Sequence, residues 1–158
     1  MTVISGLPAH VLFVHFLVVL VPLTALLEIT CLWPAARRRL VWLVLILAIV
    51  TAVLTPVTTH AGEWLFDRER EPSALLRTHA ERGDWMIYFS VALLVVAIAL
   101  AVLHVLENRS DNRRLATNVI VAIVTLAVGI SSMVTVYRIG DSGAESVWHN
   151  ELTKSDKP

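Results

Sequence analysis

Four stretches of this chain contain no Asp, Glu, Lys or Arg: residues 1–27, 40–59, 85–106 and 115–137. Each matches or exceeds the roughly 20 apolar residues that a helix needs to cross a bilayer's hydrocarbon layer. The apolar residues come in runs rather than stripes, and each run is long enough for one helical span. The chain is 158 residues long and 56% hydrophobic, with a mean hydropathy of +0.71. A soluble domain of this size would need more polar surface to cover its core.

The expected fold is therefore all-α: a four-helix transmembrane bundle, up-and-down, forming a single membrane domain over residues 1–158. The spans fall at about 9–32, 40–59, 85–106 and 115–137, with an outer loop at 61–84 and an outer tail at 138–158. The first run reads as a retained span, because no Lys or Arg precedes Arg37 and its apolar stretch is too long for a cleaved signal peptide. Short connections between spans 1 and 2, and between spans 3 and 4, favour antiparallel neighbours. Small residues one turn apart allow close helix approach: Ala48 and Ala52, Ala97 and Ala101, Thr125 and Gly129. Pro34 ends span 1. Ser73 has the chemistry to cap a helix beginning at Ala74. Arg77 and Glu81 are then placed to pair, and span 3 extends outward from Ala74 with Gly83 as its weak point.

Orientation follows from arginine in the short connections. Arg37, Arg38 and Arg39 lie in the first, and Arg109, Arg113 and Arg114 in the other. These face the cytoplasm, so both termini and the central loop face outward. The location expected is the plasma membrane, multi-pass. Net charge is zero, which gives no electrostatic case for nucleic acid. The single cysteine, Cys31, excludes an internal disulfide.

Histidine carries what chemistry the sequence offers. His10, His15, His60, His79 and His149 all fall toward the outer side, and only His104 lies toward the cytoplasm. Imidazole suits zinc, copper and haem iron, and bundles build such sites from facing helices. His60 and Glu63 share a face if span 2 continues through Gly62. His10 and His15 are about 140° apart around a helix and form no chelating pair. The metal candidates are thus His10, His15, His60, Glu63 and His79, a distributed set with no HExxH or CxxC to unite it. His15 and Glu28 are the intramembrane polar residues. His15 reads equally as a functional group or as a neutral imidazole bonded to a neighbouring helix. Glu28 lies near the cytoplasmic headgroups, where it would snorkel or pair with Arg37–Arg39. A transmembrane haem pair is not expected, since His104 has no inner partner.

Several short motifs resemble a known family. Gly6-Leu7-Pro8-Ala9-His10 followed by Val14-His15-Phe16 resembles the opening of a widespread family of small bacterial four-span membrane proteins of unknown function. Thr58-Thr59-His60-Ala61-Gly62, Thr78-His79-Ala80 and Arg138-Ile139-Gly140-Asp141-Ser142-Gly143-Ala144 resemble its other signatures. The family tail often carries a histidine where this chain has Asp141. The resemblance implies the four-span fold and no established activity. The sequence also resembles actinobacterial proteins, and small four-span chains of this kind are similar to accessory subunits of the cytochrome bcc–haem-copper oxidase supercomplex.

The leading functional expectation is a non-catalytic accessory subunit that docks on a larger membrane complex, with cytochrome bcc and haem-copper oxidase subunits and membrane lipid as its partners. No catalytic residue and no cofactor is expected on that reading. The alternative is a redox protein that binds haem b or a transition metal through the outer histidines. A small transporter ranks third, because Pro22 is the one mid-span breaker and one broken helix does not make a pathway.

Overall fold

The computed structural model describes residues 3–4, 7–109 and 115–155, with side chains placed over 9–109 and 115–148. Among the described residues there are five helices: α1 (Ala9–Thr30), α2 (Pro34–Phe66), α3 (Ala74–Asp84), α4 (Met86–Arg109) and α5 (Leu115–Ser155). Ahead of them β1 (Val3–Ile4) and β2 (Leu7–Pro8) pair antiparallel, Val3 with Pro8 and Ile4 with Leu7. This two-residue ladder leaves the architecture all-α.

The four long apolar helices form an antiparallel bundle. α1 packs against α2 and α5, and α4 packs against the same two helices. The order around the bundle is therefore α1–α2–α4–α5. The four spans are long and apolar enough to cross a membrane. Packing between them is tight where side chains are small. Ala48 and Ala97 are fully buried, in one cluster with Val44, Val96 and Leu100. Gly129 meets α1 so closely that an added Cβ would lie 3.2 Å from Ile29 Cδ1. In lipid, this van der Waals fit holds helices together in place of hydrophobic exclusion. The outer surface is apolar on every span, as at Val19, Val53, Val95 and Ile123.

Two helices run well past the apolar segments. α2 has 33 residues and α5 has 41, against the roughly 20 that hydrocarbon requires. Residues 61–66, expected as loop, and residues 138–155, expected as tail, are helical. The reason is visible on α5, whose inward stripe recurs every three or four residues at Thr125, Gly129, Ser132, Val136, Ile139 and Ser142. That stripe continues through the polar segment and packs on α3. Ser73 caps α3 as expected: the Leu76 amide donates to Ser73 Oγ at 3.2 Å. Arg77 donates from Nε to the Pro72 carbonyl at 3.3 Å instead of meeting Glu81. The break between α3 and α4 falls at Trp85, two residues beyond Gly83.

At the opposite end, Arg37 is buried and donates from Nη2 to both carboxylate oxygens of Glu107 at 2.7 Å. This bond ties the α1–α2 turn to the end of α4. Both described chain ends and α3 lie together at the other end, called here the histidine end.

Candidate functional site

The inward stripe of α1 runs through Leu17, Val21, Thr24, Ala25 and Glu28. His10 is two turns before Leu17 and so falls on this stripe. Its Nδ1 donates to the Thr58 carbonyl on α2 at 2.9 Å. Space for the ring is made by Gly62, one turn further along α2. A Cβ there would stand 2.9 Å from both Cε1 and Nδ1 of His10.

His79 repeats the arrangement from the other side of the bundle. Its Nδ1 donates to the Ile139 carbonyl on α5 at 3.0 Å. Gly143 is one turn beyond Ile139, and a Cβ there would stand 2.9 Å from His79 Cε1. Ser142 Oγ lies 3.5 Å from the same nitrogen and itself donates to the Arg138 and Ile139 carbonyls. In both cases a histidine seats its Nδ1–Cε1 edge on a glycine and bonds the carbonyl four residues earlier.

The two rings meet edge-on, with centroids 6.3 Å apart and planes at 78°. A carbonyl only accepts, so each Nδ1 carries a proton, and in the neutral form of either ring Nε2 holds the lone pair. His79 lies on the polar helix α3, outside the apolar spans. Burial holds its imidazole below the usual histidine range. The bond to Ile139 opposes that shift, while His10 and Arg82 add to it. A neutral imidazole fixed at Nδ1 in this way offers Nε2 as a donor of the kind that metals take. No group of three or more His, Cys, Asp or Glu side chains placed to hold a metal occurs among the described residues.

The chain matches the family model described as Predicted membrane protein (DUF2231) over residues 6–156. The chain belongs to this family. No curated protein and no solved structure matches it. The DUF2231 chain brings its motif segments to one place: His10 from the opening, Thr58 and Gly62 from the second, His79 from the third, and Ile139, Ser142 and Gly143 from the last.

The remaining candidates stand apart from this pair. His15 is exposed on α1, with its Nδ1 against the Val11 carbonyl of its own helix. It is two residues from Leu17, about 200° around the helix from the inward stripe. Its expected bond to a neighbouring helix is not the one that forms. His60 and Glu63 do share a face, since α2 continues through Gly62, and lie 3.5 Å apart. Their side chains are 87% and 63% exposed, so the pair is a surface contact. His104 is buried beside Asn108, whose Nδ2 is 3.2 Å from its Nε2. The side chain of His149 lies outside the described residues.

Glu28 departs most from expectation. It neither snorkels nor pairs with Arg37, which is committed to Glu107. The side chain is fully buried, and neither carboxylate oxygen has a partner among the described residues. Its position on the inward stripe, with Val21 and Ala25, turns it toward the bundle interior instead of the headgroups.

Proposed function

We propose that this chain is a membrane protein that binds a transition metal or haem iron through His10 and His79 at the histidine end of the bundle. The observation that carries the reading is the pairing itself. Two imidazoles from different helices are each fixed by a backbone carbonyl at Nδ1 and meet edge-on with centroids 6.3 Å apart. Metal–imidazole bonds are about 2.0–2.1 Å, so two rings sharing one metal in a near-linear arrangement have centroids roughly 6 Å apart. Orienting a ligating histidine by a bond at its other nitrogen is the usual second layer of such sites. The pair brings two protein donors. That favours a metal that carries its own equatorial ligands, and haem b is such a group. Bound there, it would supply one-electron chemistry on the outward side of a bacterial plasma membrane.

The test is an absorption spectrum and metal analysis of the full chain purified after growth with iron and a haem precursor. Stoichiometric haem or metal is expected, lost in His10→Ala and in His79→Ala and retained in His15→Ala and His60→Ala. A colourless, metal-free protein that also fails to take up added haem, copper or zinc would sink the reading.

A second reading is supported by the lipid-facing side of α2 and α4. A shallow apolar groove there is lined by Trp42, Leu45, Ile98, Val102 and Leu106. It suits a helix of a larger complex, in keeping with an accessory subunit of a respiratory cytochrome bcc–oxidase assembly. Co-purification in mild detergent decides this, and recovery of only the free chain counts against it.

A further inference from the structure

Hydroxyl side chains in membrane helices normally satisfy themselves on the carbonyl one turn back. Thr51, Thr55 and Thr58 do so on α2, each at 2.8 Å. Thr24 on α1 and Thr125 and Ser132 on α5 do not: all three are fully buried, and their hydroxyl oxygens have no partner among the described residues. Both carboxylate oxygens of Glu28 share that condition.

These groups lie along one seam. Thr24 and Glu28 are one turn apart on the inward stripe of α1. Gly129 is the point where α5 touches α1, against Ala25 and Ile29. Ser132 and Thr125 stand on the same inward stripe of α5, three residues after and four before that glycine. The helices are antiparallel, so Ser132 comes level with Thr24, and Thr125 lies beyond Glu28 toward the end that holds Arg37 and Glu107. A helical side chain leans toward its own N-terminus, which carries the Glu28 carboxyl back toward Thr24 and Ser132.

The donor set is all oxygen, with one negative charge and no nitrogen. A carboxylate alone in such an interior is very costly. Among the described residues no cation pairs with it. Arg37 is held by Glu107, His104 lies beside Asn108, and α5 carries no ionisable side chain from Leu115 to Val136. Hard oxygen donors with a single charge suit a small monovalent cation, whose charge Glu28 cancels.

We propose that Glu28, Thr24 and Ser132, with Thr125 one turn nearer the Arg37 end, form a binding site for one desolvated monovalent cation of the Na⁺ class in the α1–α5 seam. The site is about 27 Å along α1 from His10 at 1.5 Å per residue, and it stands or falls independently of the histidine pair.

The test uses the full chain in detergent, followed by tryptophan fluorescence on heating, with Na⁺ exchanged for N-methylglucamine at constant ionic strength and pH 8. A saturable rise in melting temperature with Na⁺ is expected, as for any ligand that binds only the folded state. Glu28→Gln should remove the Na⁺ response while melting without Na⁺ no lower than the parent. Ser132→Ala should raise the Na⁺ midpoint about tenfold, the loss of one good ligand. Radiolabelled Na⁺ bound to the unaltered chain at one per molecule supports the site even if Glu28→Gln does not fold. A melting temperature indifferent to Na⁺, a response that survives in Glu28→Gln, or no bound label would each overturn it.

Discussion

His10 donates to the Thr58 carbonyl at 2.9 Å only because residue 62, one turn further along α2, is glycine. The same dependence links His79, Ile139 and Gly143 on α5. These two notches are what bring imidazoles from α1 and α3 within reach of each other.

Gly62→Ala and Gly143→Ala should therefore displace the rings, since the new Cβ would sit 2.9 Å from ring atoms. The expected loss is about 1–3 kcal/mol for each, the usual range for overpacking a fitted site. Gly83 and Gly140 meet nothing within 4 Å, and both lie in helices. Their replacement by alanine should stabilise by about 0.5–1 kcal/mol through helix propensity. Thermal unfolding of the four variants in one detergent separates the pairs, and equal behaviour would mean the notches do not matter.

The four-helix bundle was legible because hydrocarbon imposes a length and a composition that few other folds share. The site was legible only in pieces. His10, His60, Glu63 and His79 stand out as ligand types, but which of them meet depends on rotation about helix axes. The glycines carried the missing information. Gly62 and Gly143 each follow, by four residues, the carbonyl that a histidine bonds. The helix through 138–155 was hidden by its polarity, although its inward stripe at Val136, Ile139 and Ser142 keeps helical spacing. Glu28 was misjudged because depth along α1 says nothing about which way a residue faces. Counting from Leu17 and Val21 would have placed it inside.

His79 makes the histidine end sensitive to acid. Its imidazole titrates below the usual value of 6.5 because burial disfavours the charged form. The unfolded chain therefore takes up the proton first, and the contribution of His79 to stability is intact above about pH 6.5. It is lost progressively as pH falls below that value toward the lowered folded one. Amide exchange in α3 and in residues 138–148 should accelerate between pH 7 and pH 5, after correction for intrinsic rates. In His79→Gln the acid-dependent part should vanish. Acceleration of equal size in that variant would assign it to another group.

His60 and Glu63 provide the opposite case. They satisfy a spacing rule for metal ligands, yet both are mostly exposed. Ion pairs in that setting contribute little. His60→Ala and Glu63→Ala should leave melting temperature and any metal or haem content unchanged within error. Loss of the bound group in either variant would move the site from the His10–His79 pair to the surface of α2.

Arg37 and Glu107 hold the other end of the bundle, and the asymmetry of their burial sets what a mutation does. The Arg37 side chain is 3% exposed and that of Glu107 is 34% exposed. Removing the carboxylate by Glu107→Ala leaves a guanidinium enclosed without its partner, with Nε already unbonded. Breaking a fully buried pair costs about 3–5 kcal/mol, and the partial exposure of Glu107 reduces this to about 2–3 kcal/mol. Arg37→Met fills the same space without a charge and strands only the more exposed partner, so it should cost less than Glu107→Ala. The double variant Arg37→Met/Glu107→Ala should recover most of the loss seen in Glu107→Ala. Unfolding free energies in mixed micelles give the cycle directly. Purely additive losses would show that the 2.7 Å contact contributes nothing to holding α2 against α4.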